Sequence, residues 1–263
     1  MPTGYLALLD VLGFSALIRG NDDETPLLSY LDCVRETLDA TPGGGVDYVV
    51  FSDSIVLTAG NDASEAAFQR LAQQCSALFG NMLKRNIALR GAISFGSFFR
   101  QADKGGVFIA GKPVIDAYSF EQKQDWVGIM VTPSARRHLP DLEQKCEIGE
   151  VRNFAALPDI ETRIGWCAFL QPAHIPFHPR HVLASEYFHG FAILPTSGKA
   201  EPTQLNADIE ASIGALRWLK SLAPDPGAQT KYDHSIQWLQ GFVGTWSAIQ
   251  HWVDQAKPKT GPP

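Results

Sequence analysis

The sequence predicts a mixed α/β (α+β) protein with a ferredoxin-like split βαβ sheet and a C-terminal extension that ends in helices. Three observations carry this. Apolar runs and amphipathic stretches follow one another as β-α-β-β-α-β-(β)-α-β through the first half of the chain. Two of those runs are separated only by Ser52-Asp53-Ser54, the pattern of a hairpin. The composition, 45% hydrophobic and 19% charged over 263 residues, is that of a globular chain and excludes disordered and fibrous classes.

Each element has its own signal. Tyr5–Leu9 followed by Asp10-Val11-Leu12-Gly13-Phe14 reads as a buried strand ending in an acid and a tight loop. Residues 25–37 place Leu27, Leu28, Leu31 and Val34 at helical spacing, and Thr41-Pro42-Gly43-Gly44-Gly45 stops that helix. Val46–Phe51 and Ile55–Thr58 are the hairpin strands. Residues 63–83 form the clearest helix, with Phe68, Leu71, Cys75, Leu78, Phe79 and Met82 in one stripe. Strands are expected over 87–99, 107–110 and 126–131, and helices over 112–124 and 133–138. Further on, 146–154 and 162–170 read as strands, and 172–181 as a Pro/His-rich loop. Helices are expected over 205–222 and 229–256, and a flexible tail over 257–263.

Charge and cysteine usage narrow the function. The chain carries 28 acidic and 22 basic residues, a net charge of −6, which speaks against a nucleic-acid template held by clustered Lys and Arg. No run reaches the roughly 20 apolar residues of a membrane helix, and the first apolar run, cut by Asp10, lacks the basic start of a secretory leader. Cys33, Cys75, Cys146 and Cys167 show neither metal-ligand nor disulfide spacing, so buried thiols in a reducing cytoplasm are expected.

The informative pair is Asp10 and Asp53, one at a strand end and one at a hairpin tip. In a split βαβ sheet those elements are neighbours, so the carboxylates could face each other. Two carboxylates that close repel unless a proton or cation lies between them. Mg²⁺ or Mn²⁺ suits such oxygen ligands, with nucleotide phosphates completing the shell. The competing reading makes Asp10 a loop cap and Asp53 a turn residue. The loop after Asp10 favours the first, because a Gly turn leads into a helix start that Ser15 could cap, with N–H groups free for a phosphate.

Asp10-Val11-Leu12-Gly13-Phe14-Ser15 resembles the first metal-binding stretch of the class III nucleotide cyclases. Phe51-Ser52-Asp53-Ser54 resembles their hairpin, where a Gly-Asp pair usually carries the second metal ligand. Arg90-Gly91-Ala92-Ile93-Ser94-Phe95-Gly96 is similar to the strand after their long helix, and Gly111-Lys112-Pro113-Val114 to the opening of their next helix. The four occur in family order across about residues 4–135. Purine cyclases place Asn and Arg where this chain has Ile115 and Ser119, and a base-directed Lys near Val49. With Ala117-Tyr118 and Glu121 after Val114, and the stretch Trp218–Pro224, the chain looks closer to the bacterial pyrimidine cyclases of anti-phage (Pycsar) defence.

That resemblance implies a cyclase core over 1–135, an extension over 136–256 packed on it, and conversion of UTP, before CTP, to a 3′,5′-cyclic nucleotide. It implies a cytoplasmic head-to-tail homodimer with sites at the interface and a separate effector that responds to the product. Asp10 and Asp53, with the Val11 carbonyl, would hold two Mn²⁺ or Mg²⁺ ions. The N–H groups of Leu12, Gly13 and Phe14 would meet the phosphates. Arg90, an Arg in an apolar strand, is the first candidate for charge on the leaving pyrophosphate, followed by Arg100, Lys104 and Lys112. Tyr48 is the candidate for contact with the base, although ideal alternation puts it on the face opposite Asp53.

His174, His178 and His181 read as a polar loop rather than a metal cluster, as do His189 and His234. Trp218, Trp238, Trp246 and Trp252 read as core or dimer contacts on the last helices. Two alternatives stay open: a catalytically inactive cyclase-fold module that binds nucleotide or dimerises, and a palm-type enzyme, against which the lack of a Gly-Gly-Asp/Glu-Glu-Phe hairpin weighs.

Overall fold

Alternating large side chains make Thr3–Leu12 a strand buried on both faces (β1): Tyr5, Ala7, Leu9 and Val11 enter one core, and Leu6 and Leu8 pack on the other. The computed structural model describes residues 1–15, 24–39, 45–103, 106–146, 165–178, 187–197 and 201–256. After β1 come helix α1 (Thr25–Leu38), the hairpin β2 (Asp47–Phe51) and β3 (Ser54–Thr58), helix α2 (Glu65–Lys84) and the long strand β4 (Ala88–Asp103). The Ser64 hydroxyl caps α2 by accepting from the Ala67 N–H at 3.2 Å.

The sheet order is β2-β3-β1-β4, every neighbouring pair antiparallel, which is the split βαβ arrangement expected from the sequence. Beyond β4 the same sheet continues through β6 (Ile129–Val131), β8 (Tyr187–Ile193) and β7 (Leu170–Pro176). The far half of β4 pairs instead with β5 (Gly106–Gly111). Helix α3 (Lys112–Lys123) then crosses β4 and β1 on the face that carries Leu6 and Leu8. The opposite face is covered by α1 and α2. On α2 packs α6 (Pro202–Leu222), paired with α7 (Pro226–Ala256). Two short helices, α4 (Pro133–Arg136) and α5 (Leu142–Cys146), follow β6. All four cysteines are free and buried, as their isolated spacing predicts.

Several expectations for the second half are corrected. Residues 172–181 do not open as a loop: Leu170–Pro176 is an edge strand in register with β8, and His174 faces His189 across the pair. Pro172 and Pro176 fit there because only an edge strand can do without ladder N–H groups. Strand β8 itself gave no sequence signal that was recognised. The strand expected at 146–154 starts on a residue that ends α5, and 147–154 lie outside the described residues. The strand expected at 162–170 is a helical turn over 165–167 and joins the sheet only at Leu170. Residues 126–131 pair only over Ile129–Val131. His234 lies on α7 with Nδ1 2.8 Å from the Asp125 carbonyl. Trp246 is buried and Trp238 half-buried, but Trp218 is half-exposed; the Trp252 side chain and the tail 257–263 lie outside the described residues.

Candidate functional site

The register of β1 sets the site. Asp10 is paired with Ser54 of β3 on one side and Arg90 of β4 on the other, and the Val11 N–H donates to the Asp53 carbonyl at 2.9 Å. The two predicted acids are therefore adjacent at one end of the sheet. Asp10 shares its parity with Leu6 and Leu8, so its carboxyl lies on the α3 face. The hairpin turn that presents Asp53 is tight, and Ser52 takes a left-handed φ of 57° there, a conformation that favours glycine. From α1, the Tyr30 hydroxyl donates to the Ser52 carbonyl at 3.3 Å and holds the turn from the opposite face. The Phe14 ring meets Tyr30 edge-on at 5.6 Å, which ties the loop after β1 to the same helix.

Beside these acids sits a second charged pair. Arg90 is 9% exposed and Glu121 of α3 is 1% exposed. Arg90 Nε donates to Glu121 Oε1 at 2.6 Å, Nη2 forms an ion pair with the same oxygen, and Nη1 donates to the Gln124 carbonyl at 3.3 Å. Glu121 Oε2 accepts from Gln122 Nε2 at 2.6 Å. The Gln124 side chain donates to the Gly91 carbonyl at 2.9 Å and accepts from the Trp126 indole at 2.7 Å. Gly91 permits this close assembly, since a Cβ there would lie 2.5 Å from the Leu8 carbonyl oxygen.

The contrast between the pairs determines the electrostatics. Glu121 has a cation and hydrogen-bond donors. Among the described residues, none donates to the carboxylates of Asp10 or Asp53. Burial, then the charges of Glu121 and Asp53, push the Asp10 carboxyl up to about 6, against a smaller opposite pull from Arg90. The Tyr30 phenol is raised further above its ordinary value by burial and by the charges of Asp53 and Asp10.

An uncompensated carboxylate pair at a strand end fits a hard divalent cation with substrate oxygens in its shell. Among the described residues no three His, Cys, Asp or Glu side chains converge on one point. Among the described residues, the two carboxylates and the Val11 carbonyl are the protein oxygens placed to serve as ligands.

The other predicted residues are spread more widely. Leu12 and Phe14 pack on the core, while Gly13 is exposed at a φ of 76°. Arg90 is brought next to Asp10 but held by Glu121. Arg100 pairs with Asp47 at 3.1 Å, at the end of β2 away from the hairpin turn. Lys112 opens α3 and Glu121 lies near its end, about 13 Å along the axis at 1.5 Å per residue. Tyr48 lies on the face covered by α1 and α2, and its hydroxyl donates to Asp39 at 3.0 Å, so the strand does not bring it to the Asp10 face. Phe14 and Ser15 are already helical, so Ser15 lies inside the helix it was expected to cap; residues 16–23 and Lys104 lie outside the described residues.

Tyr30 escaped the sequence reading, and Glu121 entered it only through the resemblance, without its partner Arg90. Tyr30 stands between Leu27 and Val34 in the α1 stripe, which marks it as buried but not as a turn anchor. Glu121 follows Ala117 by four residues on the inner face of α3, and a buried acid opposite an arginine in an apolar strand is a readable signal.

No protein-family model matches the chain, and no curated protein matches it in sequence. Solved structures similar to it include the guanylyl cyclase domain of the RhoGC fusion protein from the aquatic fungus Blastocladiella emersonii, at 14% identity and a TM-score of 0.45, covering 52% of this chain and 83% of that one. The catalytic core of a rhodopsin-guanylyl cyclase with converted specificity, in complex with ATPαS, is 14% identical at a TM-score of 0.47, covering 73% and 95%. The adenylyl cyclase CyaB from P. aeruginosa is 11% identical at 0.44, covering 73% and 94%. The split βαβ assignment rests on the strand order and register of this chain itself.

Proposed function

We propose that this chain is a nucleotide cyclase that converts a pyrimidine ribonucleoside triphosphate, UTP before CTP, to its 3′,5′-cyclic nucleotide and pyrophosphate. The observation that carries the reading is the adjacency of Asp10 and Asp53 at one sheet end, where no described residue forms an ion pair with either carboxylate. In the reaction the ribose 3′-hydroxyl gives up its proton to solvent, its oxygen bonds to the α-phosphorus, the bond to the bridging β-phosphate oxygen breaks, and pyrophosphate leaves with its electrons. Two Mn²⁺ or Mg²⁺ ions, when bound, would acidify the 3′-hydroxyl and offset the triphosphate charge. Asp10, Asp53 and the Val11 carbonyl would hold them, and the exposed backbone of the Leu12–Gly13 turn would receive the phosphates. Arg90 and Glu121 would fix the ground on which Asp10 stands.

The pyrimidine preference follows from Ile115, Ser119 and Val49 in the places where purine cyclases carry Asn, Arg and Lys. Ile115 is 71% exposed on α3, with Tyr118 beside it, and Phe51, 80% exposed, projects from the hairpin. Phe99, Val107 and Phe108 add an exposed apolar arm on β4 and β5. Such exposure favours a partner subunit, and a head-to-tail homodimer would bring Lys112 and Arg100 of one subunit toward the acids of the other. The product would serve as a second messenger in anti-phage defence through a separate effector. The buried free thiols favour a cytoplasmic setting, and among the described residues no helix is long and apolar enough to cross a membrane.

Incubation with the four ribonucleoside triphosphates and Mn²⁺, with products identified by mass spectrometry, tests the reading. Cyclic UMP or cyclic CMP is expected, and Asp53→Ala should reduce it by at least about a hundredfold, as loss of a metal ligand does. A purine product would overturn the base assignment. Nucleotide binding with no product from any triphosphate would favour the inactive regulatory module.

A further inference from the structure

Of the cations named for the phosphates, Arg90 and Arg100 are held by Glu121 and Asp47 and Lys112 stands at the opposite end of α3 from Glu121, yet the Leu12–Gly13 turn faces another lysine across a cavity. A cavity of about 470 Å³ separates the end of β1 from the junction of α6 and α7. Val11, Leu12 and Gly13 form one wall, and Trp218, Lys231 and Tyr232 stand on the other. Lys231 is half-buried, and among the described residues no carboxylate pairs with its ammonium; Lys220 on the same helical hairpin, by contrast, pairs with Asp233 at 2.6 Å. The walls around Lys231 are mostly apolar, and low-dielectric walls strengthen the attraction between an ammonium and an arriving anion. The turn opposite is suited to one: Gly13 is left-handed and exposed, and among the described residues no atom would lie within 4 Å of a Cβ there.

We propose that the α6–α7 hairpin closes the phosphate end of the nucleotide site, with Lys231 donating hydrogen bonds to the β- and γ-phosphates of a triphosphate laid against the Leu12–Gly13 turn. The inference rests on the cyclase reading and deepens it. It gives the C-terminal helices a binding role in the same subunit as Asp10 and Asp53. The cavity reaches Val11, whose N–H is bonded to the Asp53 carbonyl, so the ammonium and the acids lie at one end of the sheet. Trp218 and Tyr232 would limit water around the outer phosphates.

Calorimetric titration with UTP and CTP in Mn²⁺, each against its monophosphate, tests this in Lys231→Ala, Lys231→Arg and Lys220→Ala. Lys231→Ala should weaken triphosphate binding about 10- to 100-fold, the range of a charge-assisted hydrogen bond, and leave the monophosphate unchanged. Lys231→Arg should recover most of the loss, and Lys220→Ala should bind as the wild type does. Equal triphosphate affinity in wild type and Lys231→Ala would overturn this role while leaving the cyclase reading in place. Equal weakening of triphosphate and monophosphate would also overturn it. A wild-type protein that binds no triphosphate would instead overturn the cyclase reading itself.

Discussion

Two charged pairs, Arg90–Glu121 and Asp10–Asp53, lie side by side at one end of the sheet, and the fold treats them differently. Glu121 is deeper and has Arg90, Gln122 and a helix around it. Asp10 and Asp53 are shallower, at strand and turn ends, and among the described residues receive neither an ion pair nor a side-chain donor. A fold that needed carboxylates only for stability would satisfy both sets, because an unpaired half-buried carboxylate is destabilising. The satisfied pair reads as framework and the unsatisfied pair as a place for a ligand.

The largest test of that contrast is on the framework pair. Arg90→Met strands Glu121 beside Asp10 and Asp53 with no cation among them, and should cost about 3–5 kcal/mol by urea unfolding. Glu121→Gln should cost less, since Arg90 can then turn to Asp10, its cross-strand neighbour. Arg90→Met combined with Glu121→Leu should recover most of the loss. Equal costs for the two single changes would break the idea that Asp10 shares the field of this pair.

A smaller effect concerns pH. The Asp10 carboxyl is held up at about 6 in the folded chain against 3.8 for the free group. The folded state therefore binds this proton more tightly than the unfolded state, and stability from Asp10 is full below about 4 and lost as pH rises through about 6. Asp10→Asn should flatten that part of the stability profile, with the metal-free protein gaining stability relative to wild type at pH 7. A profile unchanged by Asp10→Asn would show that the carboxyl is not under this strain.

The same contrast explains what the sequence disclosed. Asp10 and Asp53 were legible because each interrupts an apolar run, and strand order then made them neighbours. The helices α1, α2, α3, α6 and α7 were legible from their apolar stripes. The edge strand β7 was not, since two prolines and two histidines read locally as loop while pairing with β8 decides the structure. Arg90 was legible as an arginine in need of a partner, but the partner is Glu121, 31 residues on. Tyr48 was flagged for its chemistry and cautioned by its parity, and parity prevailed. Lys231 carried no local signal at all, because its place beside Gly13 exists only once the last two helices pack against the sheet end.

Asp10 and Asp53 together should hold a divalent cation. Mn²⁺ titration followed by electron paramagnetic resonance, on the wild type, Asp10→Asn and Asp53→Asn at pH 7.5, addresses it without relying on turnover. The wild type should bind Mn²⁺, with an affinity at least about tenfold weaker in each variant. Mn²⁺ bound equally by all three proteins, or not bound by the wild type, would contradict it.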